Sequence, residues 1–159
     1  MAQRLAPSEF SIEIATWAAE LPLYNSDLEP DLPGVAKRWR SAVVAADALI
    51  LGIPEYNHGP SAHGKNAIDW ASRPYGSHEL MGKKIAVLSS GERGGGRHMQ
   101  AWLAPILTSL GNTVIDEPLV AIVDGASRIS VDGLTNDPEI TELVASKMRH
   151  LLEALQSPD

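Results

Sequence analysis

The chain has no cysteine in its 159 residues. That absence excludes disulfides, thiolate catalysis and any metal held by cysteine. It also lacks a basic block, and a net charge of −7 argues against nucleic acid or an anionic membrane as the main partner. No apolar run approaches the roughly 18 residues of a membrane-spanning helix. The N-terminus shows no basic-then-apolar signal pattern, which points to a cytoplasmic protein. There is no internal repeat and no low-complexity tract. Histidine is scattered, at 58, 63, 78, 98 and 150. The one close pair, His58 and His63, has an i,i+5 spacing inside a loop, which is no ligand pattern, so no metal is expected. What is present is ordinary for a globular protein, with 44% apolar and 21% charged residues. The length suits a single domain over residues 1–159 with a real core.

The informative stretch is 47–70, DALILGIPEYNHGPSAHGKNAIDW. Ala48-Leu49-Ile50-Leu51-Gly52-Ile53 is an apolar run short enough for a strand, with no polar residue to mark a wet face. That suits a strand buried on both sides in a parallel sheet. Pro54 ends it, a polar loop runs through Gly64, and 65–71 has the composition of a helix. Buried strand, polar loop and helix start are the parts of a ligand crevice at the carboxyl end of an open α/β sheet.

Elsewhere, residues 10–14 alternate apolar and polar side chains and predict a strand near a sheet edge. Residues 15–25 read as a loop, and the acidic, Pro-containing 26–33 as an exposed connection. Val35, Trp39, Val43 and Ala46 have helical spacing. After a loop over 72–82, residues 83–90 predict a second buried strand. The Gly-rich 91–97 and a helix over 99–110 follow. Residues 112–115 and 119–123 predict two more strands, with a turn-rich loop over 124–137. Asp137-Pro138-Glu139 starts a last helix, reaching about 156, with a capping residue, proline at the first helical position and an acid next. Its residues Ile140, Leu143, Val144, Met148, Leu151, Leu152 and Leu155 should face inward. Strands alternating with helices predict a three-layer α/β fold with a mainly parallel sheet.

Pro54-Glu55-Tyr56-Asn57 and then Lys65-Asn66-Ala67-Ile68-Asp69-Trp70 resemble, at the usual separation, the signature of the NADPH-dependent FMN reductase family. This is a flavodoxin-like group that includes quinone, azo and chromate reductases. Leu21-Pro22-Leu23-Tyr24-Asn25 is similar to the family's segment after its second strand, and Gly94-Gly95-Gly96-Arg97 to the loop after its fourth. The loop 58–64 departs from the pattern, being more polar than the family's Pro-Gly step. The resemblance implies strand order 2-1-3-4-5, with FMN and NADPH as cofactors. It also implies hydride transfer from NAD(P)H to flavin, then electron transfer to a quinone, azo compound, metal oxyanion or free flavin. The flavin carries that chemistry, so no catalytic side chain is required. By the same resemblance Pro54, Glu55, Tyr56, Asn57 and His58 border the flavin ring on one side. Ser89, Ser90, Gly91, Gly94 and Gly95 wall the other, and Arg93 or Arg97 attracts the phosphates of NADPH. A homodimer or higher homo-oligomer is expected by analogy, with Trp70, Trp102 and Tyr75 as contact residues.

One part of the family pattern has no counterpart here. The family opens with a strand, a phosphate loop of the form GSxRxxSxN and a helix, whereas this chain starts near that helix's end. The first, central strand is therefore expected to be missing. With the loop go about three charge-assisted hydrogen bonds of roughly 1.5–3 kcal/mol each, which weakens FMN upwards of about a thousandfold. Either the natural start lies upstream, the favoured reading, or the chain is a divergent relative. A second function therefore stays open, a non-catalytic flavodoxin-like binding or assembly module that has lost FMN. A third is nucleotide binding, because 59–66 matches the GxxxxGK of a P-loop. Against it, Asn66 has no hydroxyl for Mg²⁺ and Pro60 removes an N–H. A hydrolytic triad lacks its GxSxG elbow.

Overall fold

In the computed structural model, which describes residues 1–157, the apolar runs become a parallel sheet and the helically spaced segments cover it. The elements in chain order are α1 (Ala2–Leu5), α2 (Gly34–Ala45), β1 (Ala48–Gly52), β2 (Glu55–Tyr56), β3 (Gly59–Pro60), α3 (Ala62–Ala71), β4 (Lys84–Gly91), α4 (Arg97–Ser109), β5 (Thr113–Val123), α5 (Gly125–Arg128) and α6 (Pro138–Gln156). β1, β4 and β5 lie side by side in that order, all parallel. Successive residues of β4 serve opposite faces, as a strand covered on both sides requires. Ile85 and Val87 join Val43 of α2, Ile68 of α3 and Met99, Leu103 and Leu107 of α4. On the other face Ala86 meets Met148 and Leu151 of α6, while Val120 and Ile122 of β5 pack on Ile140 and Val144. Helix α1 lies on this second face, with Ala2 and Leu5 against the same cluster. The result is the expected three-layer, flavodoxin-like α/β arrangement. Among the described residues no helix is long and apolar enough to cross a membrane.

Three local expectations change. Residues 10–14 form no strand: Ile14 is 60% exposed, and Ile12 O accepts a hydrogen bond from Gln3 Nε2 at 2.9 Å instead of joining a ladder. Alternation makes a strand only beside an edge able to pair with it. The two strands expected on either side of Pro118 are one. Strand β5 runs through it, with Ala86 opposite Ile115 and Leu88 opposite Val120, so residues 116–119 bulge opposite Val87. Lys147, buried on α6, collects the carbonyls that the bulge takes off the ladder, donating to Ile115 O at 2.5 Å and Asp116 O at 3.0 Å. Burial lowers its pKa to about 8. Finally, residues 48–51, expected to be covered on both faces, are half-buried, because β1 is the outer strand of the described sheet and has one paired edge.

Candidate functional site

The site begins where β1 stops beside the longer β4. Gly52 of β1 is in register with Leu88 of β4, and Ile53 N–H still donates to Leu88 O at 3.2 Å. Beyond that level the first chain enters a hairpin, while β4 continues beside β5 through Ser89, Ser90 and Gly91 before its Gly-rich loop begins. In the hairpin Glu55 pairs with Pro60 and Tyr56 with Gly59. Asn57 and His58 are the two turn residues, with φ of 50° and 64°. Positive φ at both central positions is the requirement of a type I′ turn, whose twist matches that of the strands. Ser61 then caps α3, its Oγ accepting from Gly64 N–H at 3.2 Å. The string that resembled a P-loop is thus a hairpin strand followed by a capped helix.

The Gly-rich loop is packed down by its own chain. Ser89 Oγ donates to Gly95 O at 2.6 Å and accepts from Gln100 Nε2 at 2.8 Å, while Gln100 also donates to Val120 O at 2.7 Å. A Cβ on Gly95 would lie 2.4 Å from the Ala121 carbonyl, and one on Gly96 2.2 Å from Ser89 Oγ. Both residues also have positive φ. The Ser89 hydroxyl and Gly95 therefore face the protein's interior. Gly94 is different: the sole atom within 4 Å of a Cβ there is His98 Nδ1, at 3.8 Å. Ser90 is exposed and Gly91 half-buried.

At the ends of β1 and β4, on the face that α1 and α6 cover, lies a mainly apolar cavity of about 300 Å³, lined by Gly52, Ile53, Pro54, Leu88, Ser89 and Ser90 together with Met1, Ile122, Ile129 and Val144. Arg97 lines a separate hollow of about 200 Å³ with Gln100, Asp116, Glu117 and Leu119. Of the site residues expected from the sequence, Pro54, Ser89 and Ser90 line the first cavity, Glu55, Tyr56, Asn57, His58, Gly91, Gly94 and Gly95 are not in its lining, and Arg97 lines the second hollow. Glu55 joins the two walls, with Oε2 accepting from Met99 N–H at the start of α4 at 3.0 Å. That N–H holds the Glu55 carboxyl below the usual carboxylate range. His58 and His98 meet edge to face beside it, Nδ1 to Nδ1 at 3.3 Å. His98 escapes sequence reasoning because it stands 40 residues from His58, and no local spacing announces the encounter.

The second half of the signature serves the fold. Asn66 Oδ1 accepts from Tyr24 N–H at 2.8 Å, and its Nδ2 donates to Pro22 O at 2.8 Å. Trp70 Nε1 donates to the same carbonyl at 2.8 Å. Trp70 is 1% exposed, which removes it from any subunit contact, whereas Trp102 and Tyr75 are exposed.

A flat ring needs walls of backbone. Nothing lies within 4 Å of a Cβ built on Gly52, and Gly94 is nearly as open, so the residues present fit the ring of a flavin. The family model described as NADPH-dependent FMN reductase matches residues 1–127. The chain is 35% identical over 130 residues to a 2-hydroxy-1,4-benzoquinone reductase of a Burkholderia species, covering 81% of this chain and 70% of that one. It is also 35% identical over 149 residues to an NAD(P)H-dependent FMN reductase of Pseudomonas aeruginosa, covering 92% and 80%. Among solved structures, FerB, a flavoenzyme NAD(P)H:(acceptor) oxidoreductase from Paracoccus denitrificans, has a TM-score of 0.85 at 30% identity. That match covers 98% of this chain and 85% of that one. On the family match and these relatives, the chain belongs to the NADPH-dependent FMN reductase family.

Proposed function

We propose that the crevice at the carboxyl ends of β1 and β4 is where this FMN-dependent NAD(P)H oxidoreductase seats its flavin ring, and that its acceptor is a quinone. The observation that carries the placement is the shared level of Gly52 and Leu88, with a cavity of about 300 Å³ opening between Pro54 and Ser90. Bound there, FMN supplies the hydride and electron transfer itself. The chain supplies position. Pro54 and the hairpin residues 55–58 border one side of the ring, and Ser90, Gly91 and Gly94 the other. Ser89 and Gly95 act from beneath by holding the loop down. Glu55 is a positioning residue that fixes the hairpin to α4 through Met99 N–H. Tyr56, 65% exposed at the mouth, offers a flat surface to an incoming quinone. Arg93 and Arg97, both exposed, are the cations available to NADPH phosphates.

Relatives named as quinone reductases support the acceptor. We further propose one domain that self-associates through the exposed Trp102 and Tyr75, in the cytoplasm where NAD(P)H is supplied. The test is direct. The purified chain is titrated with FMN while flavin fluorescence is followed, and NADPH oxidation is then measured with and without benzoquinone. Quenched flavin that stays with the protein, and oxidation accelerated by the quinone, are expected. Flavin that remains bright and separable at every concentration overturns the reading.

A further inference from the structure

Three polar atoms on three separate elements converge at the hairpin. His58 Nδ1 in the turn and His98 Nδ1 in the first turn of α4 are 3.3 Å apart. Glu55 Oε1 on β2 lies 3.6 Å from the first and 3.5 Å from the second. The His58–His98 contact is within hydrogen-bond reach and His98 also bonds Glu55, but all three edges of this triangle are longer than the usual range of about 2.7–3.2 Å. They suit another purpose. A zinc ion sits about 2.0–2.1 Å from imidazole nitrogen and about 2.0–2.2 Å from carboxylate oxygen, which spaces the ligand atoms of a tetrahedron about 3.3–3.5 Å apart.

We infer that Glu55, His58 and His98 form a binding site for one transition-metal dication of zinc type, clipping the hairpin to α4. Two neutral imidazoles and one carboxylate are a donor set for Zn²⁺, Co²⁺ or Ni²⁺ in preference to Mg²⁺ or Ca²⁺. The support behind the ligands is in place. The second oxygen of Glu55 is anchored by Met99 N–H at 3.0 Å, as ligating carboxylates are in metal sites. Residue 58 has φ of 64°, at a turn position where glycine is the usual occupant, and here it carries an imidazole. Both histidines are exposed while Glu55 is largely covered. Three protein ligands and an open outer side leave the remaining position to water, the arrangement of sites that work on small molecules. Arg97, next in sequence to His98, lines the hollow beside Asp116 and Glu117.

The site needs no flavin, and its test uses none. The full chain, stripped with EDTA, is titrated with Co²⁺ and read by its visible d–d absorption, with Zn²⁺ added as competitor. One Co²⁺ per chain, giving the intense bands of a four-coordinate site and displaced by Zn²⁺, is expected. His98→Ala and His58→Ala each weaken binding by about 100-fold or more, and His63→Ala leaves it unchanged. Both ligand histidines are on the surface, and circular dichroism checks that their variants fold. Failure of the wild-type chain to bind Co²⁺ stoichiometrically, or binding that survives His98→Ala, overturns the site. A chain that binds Co²⁺ but not FMN contradicts the flavin placement alone.

Discussion

Gly95→Ala and Gly94→Ala, one residue apart, should separate what the Gly-rich loop does for the fold from what it does for the cofactor. A methyl on Gly95 would sit 2.4 Å from the carbonyl carbon and oxygen of Ala121 and 2.8 Å from Ile122 N, all backbone, where ordinary contact begins at 3.4 Å. The loop must therefore lift from β5 by about 1 Å. Overpacking of that kind costs about 1–3 kcal/mol, and a φ of 63° costs an alanine about 1–2 kcal/mol more. The sum, about 2–5 kcal/mol, is a large part of a domain's usual 5–15 kcal/mol. Gly94→Ala meets only His98 Nδ1 at 3.8 Å and has no positive φ, so its stability stays within about 0.5 kcal/mol of wild type. Its methyl stands instead at the proposed ring face, and FMN affinity falls about tenfold or more. Urea unfolding followed by tryptophan fluorescence measures the first effect, and flavin quenching the second. If Gly95→Ala unfolds with wild-type stability, the loop is not pinned to β5. If Gly94→Ala binds FMN normally, the ring does not lie against Gly94.

Two further outcomes follow from buried polar groups. Asn66→Leu strands Tyr24 N–H and removes one donor from Pro22 O, costing about 2–4 kcal/mol. FMN affinity of the folded protein is unchanged, and an affinity loss without a stability loss would contradict the structural role. Lys147 has a folded pKa of about 8, well below the unfolded value near 10.4. Between those values the unfolded chain binds more protons, so stability rises with pH from 8 to 10.4, and below 8 the full penalty stands. The rise is about 3 kcal/mol. Unfolding free energies at pH 7.5 and 10.5 should show it in wild type and not in Lys147→Met, and parallel slopes would refute it.

What local chemistry decides was legible in the sequence. Strand β4 is apolar over a length too short for a buried helix. Helix α6 opens on Asp137, whose Oδ1 accepts from Glu139 N–H at 3.0 Å and Ile140 N–H at 3.4 Å, as the Asp-Pro-Glu start implied. The place of the polar loop was legible too, because a loop after a strand of a parallel sheet falls at the sheet's carboxyl end, although β1 is the half-buried outer strand and not one covered on both faces. What failed depended on neighbours. Alternation over 10–14 looked like a strand, yet no described edge pairs with it. Residues 112–115 and 119–123 looked like two strands, yet β5 is continuous, with Lys147, 31 residues beyond Asp116, donating to the Asp116 carbonyl at the bulge. His98 meets His58 only after the crossover from β1 to β4 brings two loops to the same end of the sheet. Periodicity carries no record of such an encounter.

The carbonyl of Pro22 receives both Asn66 and Trp70, and this divides the family signature by purpose. One half, at 54–57, forms the end of β1 and the hairpin, where the flavin ring is proposed to sit. The other, at 65–70, answers to an acceptor atom more than forty positions upstream. A descendant that gave up redox chemistry altogether would still have to keep that asparagine and indole, or leave a proline oxygen stranded beneath its outer helices. The string therefore vouches for architecture, and the burden of vouching for catalysis falls on the hairpin.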